Sequence, residues 1–198
     1  MKINAQADWS QKKQKPSVNI ELIFSINLFY FAFLRRLGNG NMKKLIFVRH
    51  AKSSWKDSSL GDLERPLKTR GEKDIQLQAE ILQEIQLRPE IIVSSHALRA
   101  VQTARGFADH LGLERDQLEE KERLYHAFYH DVQDIIKGLD NKLEVVMIIG
   151  HNPTATNFAN KFSKDYIANV PTCGMLVLES KVDRWSEFSR YNTELVHY

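Results

Sequence analysis

Three apolar runs in this 198-residue chain each end on residues suited to an anionic ligand. Leu45 to Val48 runs into Arg49-His50. Ile91 to Val93 runs into Ser94-Ser95-His96, with Arg99 about one helical turn further on. Val145 to Ile149 runs into Gly150-His151-Asn152. A lone histidine after a strand is usually a solvated loop residue. Two arginines and two or three histidines at the ends of three such runs are a coincidence that calls for a shared site, since ligands of open α/β sheets gather beyond the carboxyl ends of the strands.

The elements that must position these residues are legible from the apolar pattern. Leu45–Val48, Ile91–Val93 and Val145–Ile149 are continuous apolar runs, as expected for strands buried on both faces. Between them lie helical stretches. Thr69-Arg70-Gly71-Glu72 has capping-box spacing ahead of the apolar residues Ile75, Ala79, Leu82 and Ile85. Ala97 to Leu111 reads as a helix closed by Gly112, Val132 to Leu139 as a shorter one, and Thr154 to Phe162 as one opened by Pro153. Met175–Leu178 and Trp185–Tyr191 read as a closing antiparallel pair around a turn at residues 181–183. Strands alternating with helices predict a doubly wound α/β sandwich with a mostly parallel central sheet.

Bulk properties bound the function. The composition is ordinary for a globular protein, at 42% hydrophobic and 27% charged residues. The single cysteine, Cys173, cannot form an internal disulfide and fits a reducing, cytoplasmic setting. The net charge of +3 resides in the first 42 residues, which sum to +4 and leave the rest at −1, so no nucleic-acid footprint is present. Residues 1–42 differ in character from the rest. The apolar stretch Val18 to Leu34 is 17 residues long and carries Asn19, Glu21 and Asn27, which is short of a confident membrane span. A signal peptide lacks a small-residue cleavage site here, because Arg35-Arg36 follows. The favoured expectation is an extension that is dispensable or arises from a start-site artefact, with translation beginning at Met42 and a catalytic domain at residues 43–198. An anchor, a surface helix or a signal are the alternatives, and no membrane partner is expected.

Four segments in register resemble the histidine phosphatase superfamily. Leu45-Ile46-Phe47-Val48-Arg49-His50-Ala51 resembles its strand ending in Arg-His-Gly, and Arg65-Pro66-Leu67-Lys68-Thr69-Arg70-Gly71 its Arg-Pro-Leu segment. Ser94 to Ala104 resembles its Ser-x-x-x-Arg-Ala-x-Gln-Thr-Ala segment, and Gly150-His151-Asn152 its second conserved histidine. The resemblance spans nearly all of residues 43–198, and the short length is similar to the phosphohistidine phosphatase (SixA-type) branch. It implies a phosphoglycerate mutase-like fold in which His50 attacks phosphorus and carries the phosphoryl group. It also implies that Arg49, Arg99 and, when protonated, His151 bind the phosphoryl oxygens, with no metal and no cofactor.

Two departures matter. The family glycine after the nucleophile is Ala51, which is free of strain unless its φ is positive. Just beyond it, Ser53 is a candidate phosphate donor, against the alternative of a solvated loop. The general acid that esters require has no motif here; Glu122, within Glu119 to His126, is the nearest candidate, against the alternative of a solvated charged stretch. Histidines His126 and His130, four apart, have metal-ligand spacing on a helix, but the intervening Phe128 and Tyr129 favour aromatic packing.

The expected activity is removal of phosphate from phosphohistidine on a partner protein, with a histidine-phosphotransfer domain as one candidate partner. A small phosphomonoester phosphatase using Glu122 as acid is one alternative. A phosphate-binding protein without turnover is another, of a different class.

Overall fold

The computed structural model describes residues 42–198. Its sheet is built from β1 (Lys43–Arg49), β2 (Ile91–Ser94), β3 (Leu118–Glu120), β4 (Val145–Gly150), β5 (Met175–Ser180) and β6 (Thr193–His197), in the order β3-β2-β4-β1-β5-β6. The first four strands in that order run parallel. β5 pairs antiparallel with β1, and β6 antiparallel with β5. Four helices cover the two faces: α1 (Thr69–Glu84), α2 (Leu98–Leu111), α3 (Tyr129–Lys137) and α4 (Thr154–Phe162).

The continuous apolar runs follow from this layering. Successive strand residues point to opposite faces, so a strand covered on both sides must be apolar throughout. In β1, Ile46 and Val48 pack against Ile75 and Leu82 of α1 and Phe107 of α2. Leu45 and Phe47 face the other way, toward Val132 and Ile136 of α3 and Phe158 of α4. The Phe47 and Phe158 rings stack with centroids 5.0 Å apart. Among the described residues no helix is long and apolar enough to cross a membrane; the 18–34 stretch lies outside them.

Several local expectations are corrected. The second strand of the closing pair is Thr193–His197, whereas Trp185–Glu187 forms a 3₁₀ turn. Trp185 and Phe188 are three residues apart, and a turn sends both into the core, where the Trp185 indole N–H donates to the Leu143 carbonyl at 2.9 Å. The capping box at Thr69 does not form. α1 begins with Thr69 itself, and its N-cap is Lys68, with extended dihedrals and no side-chain cap bond. α3 starts at Tyr129, three residues before Val132, because the Asp131 carboxylate accepts the Phe128 amide at 2.8 Å and closes its first turn. β3 was invisible in sequence, since two of its three residues are glutamates on a short strand beside β2. Gly112 closes α2 in the left-handed conformation, φ 66°.

Candidate active site

β2, β4 and β1 are adjacent and parallel, so their carboxyl ends deliver three loops side by side. Arg49 is in register with Gly150, and the His50 amide donates to the Gly150 carbonyl at 2.9 Å. A Cβ on Gly150 would stand 3.0 Å from Phe47 Cζ, so a small residue lets β4 pass this ring just before His151. The Ser95 amide donates to the Ile149 carbonyl at 3.0 Å and ties the β2 end to the same place.

The conformation of His50 fixes its chemistry. Its Nδ1 lies 2.8 Å from the Ala51 carbonyl oxygen, which can only accept, so the proton sits on Nδ1 and the lone pair on Nε2. Arg99 Nε–H donates to that Nε2 at 3.3 Å. Burial, reinforced by the charges of Arg99, Arg49 and Arg65, lowers the His50 pKa to about 4 despite the Ala51 hydrogen bond. At neutral pH the side chain is an uncharged imidazole with its lone pair turned toward guanidinium donors. The loop after it is held by the Ala51 amide, which donates to Thr103 Oγ1 at 3.0 Å, while that hydroxyl donates to the Arg99 carbonyl at 2.6 Å. Ala51 is not among the residues of positive φ, so alanine sits here without strain.

His151 stands with its ring centroid 5.0 Å from that of His50. Its Nδ1 accepts from Arg99 Nη2 at 3.4 Å, which leaves Nε2–H to donate to Ser95 Oγ at 2.8 Å. Burial, with His50 and Arg99 as further contributors, lowers its pKa to about 3. The free site therefore holds His151 neutral, and only an incoming anion can make it the charged donor that the resemblance implies.

The arginines differ in what they have left to give. Arg49 spends Nη1 on the Val170 carbonyl at 2.7 Å and on Asn169 Oδ1 at 3.5 Å, while its buried Nε has no partner. An orphaned, buried guanidinium N–H is an unsatisfied cost that a bound oxyanion would remove. Arg99 is buried, and all three of its nitrogens are engaged: beyond the two histidines, Nη1 donates to the Asp62 carbonyl at 2.5 Å and Nη2 to Asp62 Oδ2 at 2.9 Å.

Asp62 organises this side of the site. Its carboxylate also accepts Arg65 Nε at 3.0 Å, pairs with Arg65 Nη2 at 2.8 Å and accepts the Tyr125 hydroxyl at 2.6 Å. Burial works to raise its pKa, but Tyr125, Arg99 and Arg65 outweigh it and hold the group well below the usual carboxylate range. Arg65 Nη1 in turn donates to Ser53 Oγ at 3.0 Å, so Ser53 is buried against an arginine rather than solvated. The segment is pinned from the far side. Lys68 N–H donates to the Lys52 carbonyl at 2.8 Å, and a Cβ on Gly71 would lie 2.6 Å from that oxygen.

Of the residues singled out in sequence, the structure brings Arg49, His50, Arg99 and His151 together, with Ser53 one step away through Arg65. It does not bring in Glu122, which is exposed on the 3₁₀ turn Glu122–Leu124 and has no side-chain hydrogen bond or ion pair. Asp62, Tyr125 and Thr103 were missed as members of the cluster, and Ser95, placed at the end of the second run, was given no role of its own. The signal for Asp62 was its place three residues before Arg65, just ahead of a segment already matched. His126 packs its ring 4.0 Å from Tyr125, and His130 stacks with Phe128, so aromatic packing accounts for both. Cys173 is structural: its amide donates to the Arg49 carbonyl at 3.0 Å, and burial pushes its thiol up to about 12.

Comparison with known proteins gives this geometry its family. The model of the histidine phosphatase superfamily (branch 1) matches residues 45–143. The chain belongs to that superfamily. An uncharacterised chloroplastic protein of Arabidopsis thaliana is 30% identical over 156 residues, covering 73% of this chain and 70% of that protein. Phosphoglycerate mutase 1 of Saccharomyces cerevisiae is 34% identical over a 65-residue stretch, 32% of this chain and 26% of that enzyme. Among solved structures, a candidate phosphohistidine phosphatase SixA from Agrobacterium tumefaciens is 25% identical, with a TM-score of 0.61 over 69% of this chain and 91% of that one. Histidine phosphatase membership and the SixA-like α/β fold make this chain a phosphatase. The family match contains Arg49, His50, Asp62, Arg65, Arg99 and Tyr125; His151 arrives from β4, beyond it.

Proposed function

We propose that this histidine phosphatase removes the phosphoryl group from phosphohistidine on a partner protein, through a covalent intermediate on His50. The observation that carries the reading is the state of Asp62. It is the carboxylate of the cluster, and two guanidiniums and a phenol keep it ionised. A site arranged so has no carboxylic proton to give. An alkoxide leaves poorly without one, a deficit of ~10²–10⁴-fold in rate. Phosphohistidine does not need it: with its second ring nitrogen protonated, the leaving imidazole departs as a neutral molecule.

In the first step the His50 Nε2 lone pair forms a bond to phosphorus as the bond from phosphorus to the substrate nitrogen breaks, and that nitrogen keeps the electron pair. Arg49, through its free Nε–H, and Arg99 receive the phosphoryl oxygens, and the dianion draws a proton onto His151, adding a third charged donor. In the second step water attacks phosphorus, the bond to Nε2 breaks, and the site releases inorganic phosphate with His50 neutral again. Before the first step Arg99 must exchange its contact with His50 Nε2 for contacts with the phosphoryl group, which frees the lone pair.

Incubation with a histidine-phosphotransfer domain phosphorylated on histidine should release phosphate and leave a transient, acid-labile label on the enzyme. His50→Ala should lose both. Label on His50→Ala, or hydrolysis of sugar phosphates as fast as phosphohistidine, would refute the reading. Glu122→Gln is expected to leave rates within about twofold for alkyl and aryl substrates alike; selective loss on alkyl phosphates would instead make Glu122 the acid. We also place the catalytic domain at residues 43–198, on the support of a sheet that starts at Lys43 and a family match that starts at Leu45. Protein expressed from Met42 should keep full activity.

A further inference from the structure

We propose that Trp55 is the specificity-determining contact of this enzyme, binding the polypeptide that carries the phosphohistidine. The inference rests on the phosphoprotein reading above and adds to it where the protein part of the substrate is held.

Trp55 lies in the loop that leaves the nucleophile, five residues after His50, and 72% of its surface is exposed. Among the described residues the chain has one other tryptophan, Trp185, which is fully buried. An indole of this size buries 150–250 Å² when covered, so leaving it in water forgoes a large stabilisation. The exposure is not the slack of a mobile loop. The Ser54 amide donates to the Pro66 carbonyl at 2.8 Å, Ser53 bridges to Leu67, and the Lys68 amide holds the Lys52 carbonyl at 2.8 Å. One face of the ring lies on the Arg65 guanidinium, whose central carbon is 3.5 Å from the ring centroid. Arg65 itself is 7% exposed. The indole is thus fixed in orientation, with its other face and its unpaired N–H turned to solvent. Leu63, in the same loop, adds exposed apolar surface.

A largely exposed tryptophan held on an arginine has the composition of an interface hot spot. Its place identifies the occupant. Trp55 itself has no contact with Arg49, His50, Arg99 or His151; its ring meets Arg65, which in turn meets Asp62 and Ser53, so a small phosphate compound seated on Arg49 and His151 need not touch the indole. A phosphorylated histidine on a protein brings a surrounding surface that must rest on the rim.

Two substrates with the same kind of bond separate this contact from the chemistry. Phosphoramidate has a phosphorus–nitrogen bond and no protein body; a histidine-phosphotransfer domain phosphorylated with it has both. Trp55→Ala is expected to raise KM for the phosphoprotein about tenfold or more. Its kcat/KM for phosphoramidate should stay within twofold of the parent, which also shows that the variant folds. Trp55→Phe, keeping the ring on Arg65, should restore most of the loss. Equal losses on both substrates would overturn the proposal, because Trp55 would then act only by shielding Arg65. Unchanged KM for the phosphoprotein would overturn it as well. A parent enzyme that cleaves phosphoramidate but ignores phosphoprotein would instead sink the substrate reading, and this contact with it.

Discussion

Replacing Asp62 by asparagine keeps the shape of the side chain and removes its charge. In the parent the carboxylate accepts from Arg99 Nη2 at 2.9 Å, from Arg65 at 2.8 and 3.0 Å, and from the Tyr125 hydroxyl at 2.6 Å. A hydrogen bond to a charged group contributes about 1.5–3 kcal/mol when buried. The Asp62 side chain is 41% exposed, so water screens part of that, and about 2–3 kcal/mol for the whole set is the reasonable total. For a domain of this size that corresponds to a fall in Tm of roughly 5–10 °C. Catalysis should suffer more, because Arg99 loses the partner that fixes its fork; a displacement near 1 Å costs about 10²-fold. The pH dependence has a definite sign. Asp62 is held below its ordinary value of 3.8, so its contribution is present above that pH and is lost as pH falls through its lower folded value. Parent and variant should therefore differ in urea midpoint at pH 7 and still at pH 5, converging only in stronger acid. Melting curves at these pH values and kcat/KM on phosphoramidate test the whole chain. A variant as stable and as active as the parent at pH 7 would refute it.

Three other outcomes follow from the same geometry. Since the free His50 imidazole has a pKa of about 4, kcat/KM should hold from pH 7 down toward pH 5 and fall as pH drops through about 4; an acid limb near 6.5 would mean an ordinary, solvated histidine. Stability should follow a related course. The unfolded chain takes up protons on these histidines below about 6.5, while the fold holds His50 near 4 and His151 near 3, so the urea midpoint should decline from pH 7 to pH 5 and decline less in His50→Asn. Gly71→Ala places a Cβ 2.6 Å from the Lys52 carbonyl oxygen and 2.9 Å from its nitrogen, backbone atoms that cannot turn aside. The expected loss is about 1–3 kcal/mol by thermal melting, and a silent substitution would show that the loop after the nucleophile yields.

Local chemistry carried a long way in this chain. The apolar runs ending at Val48, Val93 and Ile149 announced buried strands, because a strand covered on both faces has no polar side to show. Their terminal arginines and histidines pointed to one sheet edge. His50, Arg49, Arg99 and His151 were legible because each sits at the end of such a run or one turn into the next helix, where backbone geometry alone decides direction. Trp185–Tyr191 was misread as a strand on its aromatic content; Trp185 and Phe188, three residues apart, lack period-2 alternation, and a 3₁₀ turn buries both. Tertiary structure decided the rest. Asp62 lies in a polar segment with no periodic signal; Arg65 is its neighbour in sequence, but only folding brings it to Arg99 on α2 and to a tyrosine 63 residues away. Glu122 was the carboxylate that sequence position favoured, and the turn that carries it faces water. The tautomer of His50, the neutrality of His151 and the ionised state of Asp62 depend on burial and on charges remote in sequence. The order of residues thus determined that Arg49, His50, Arg99 and His151 reach the site; which carboxylate joins them, and the protonation of each group, was decided by the three-dimensional packing around them.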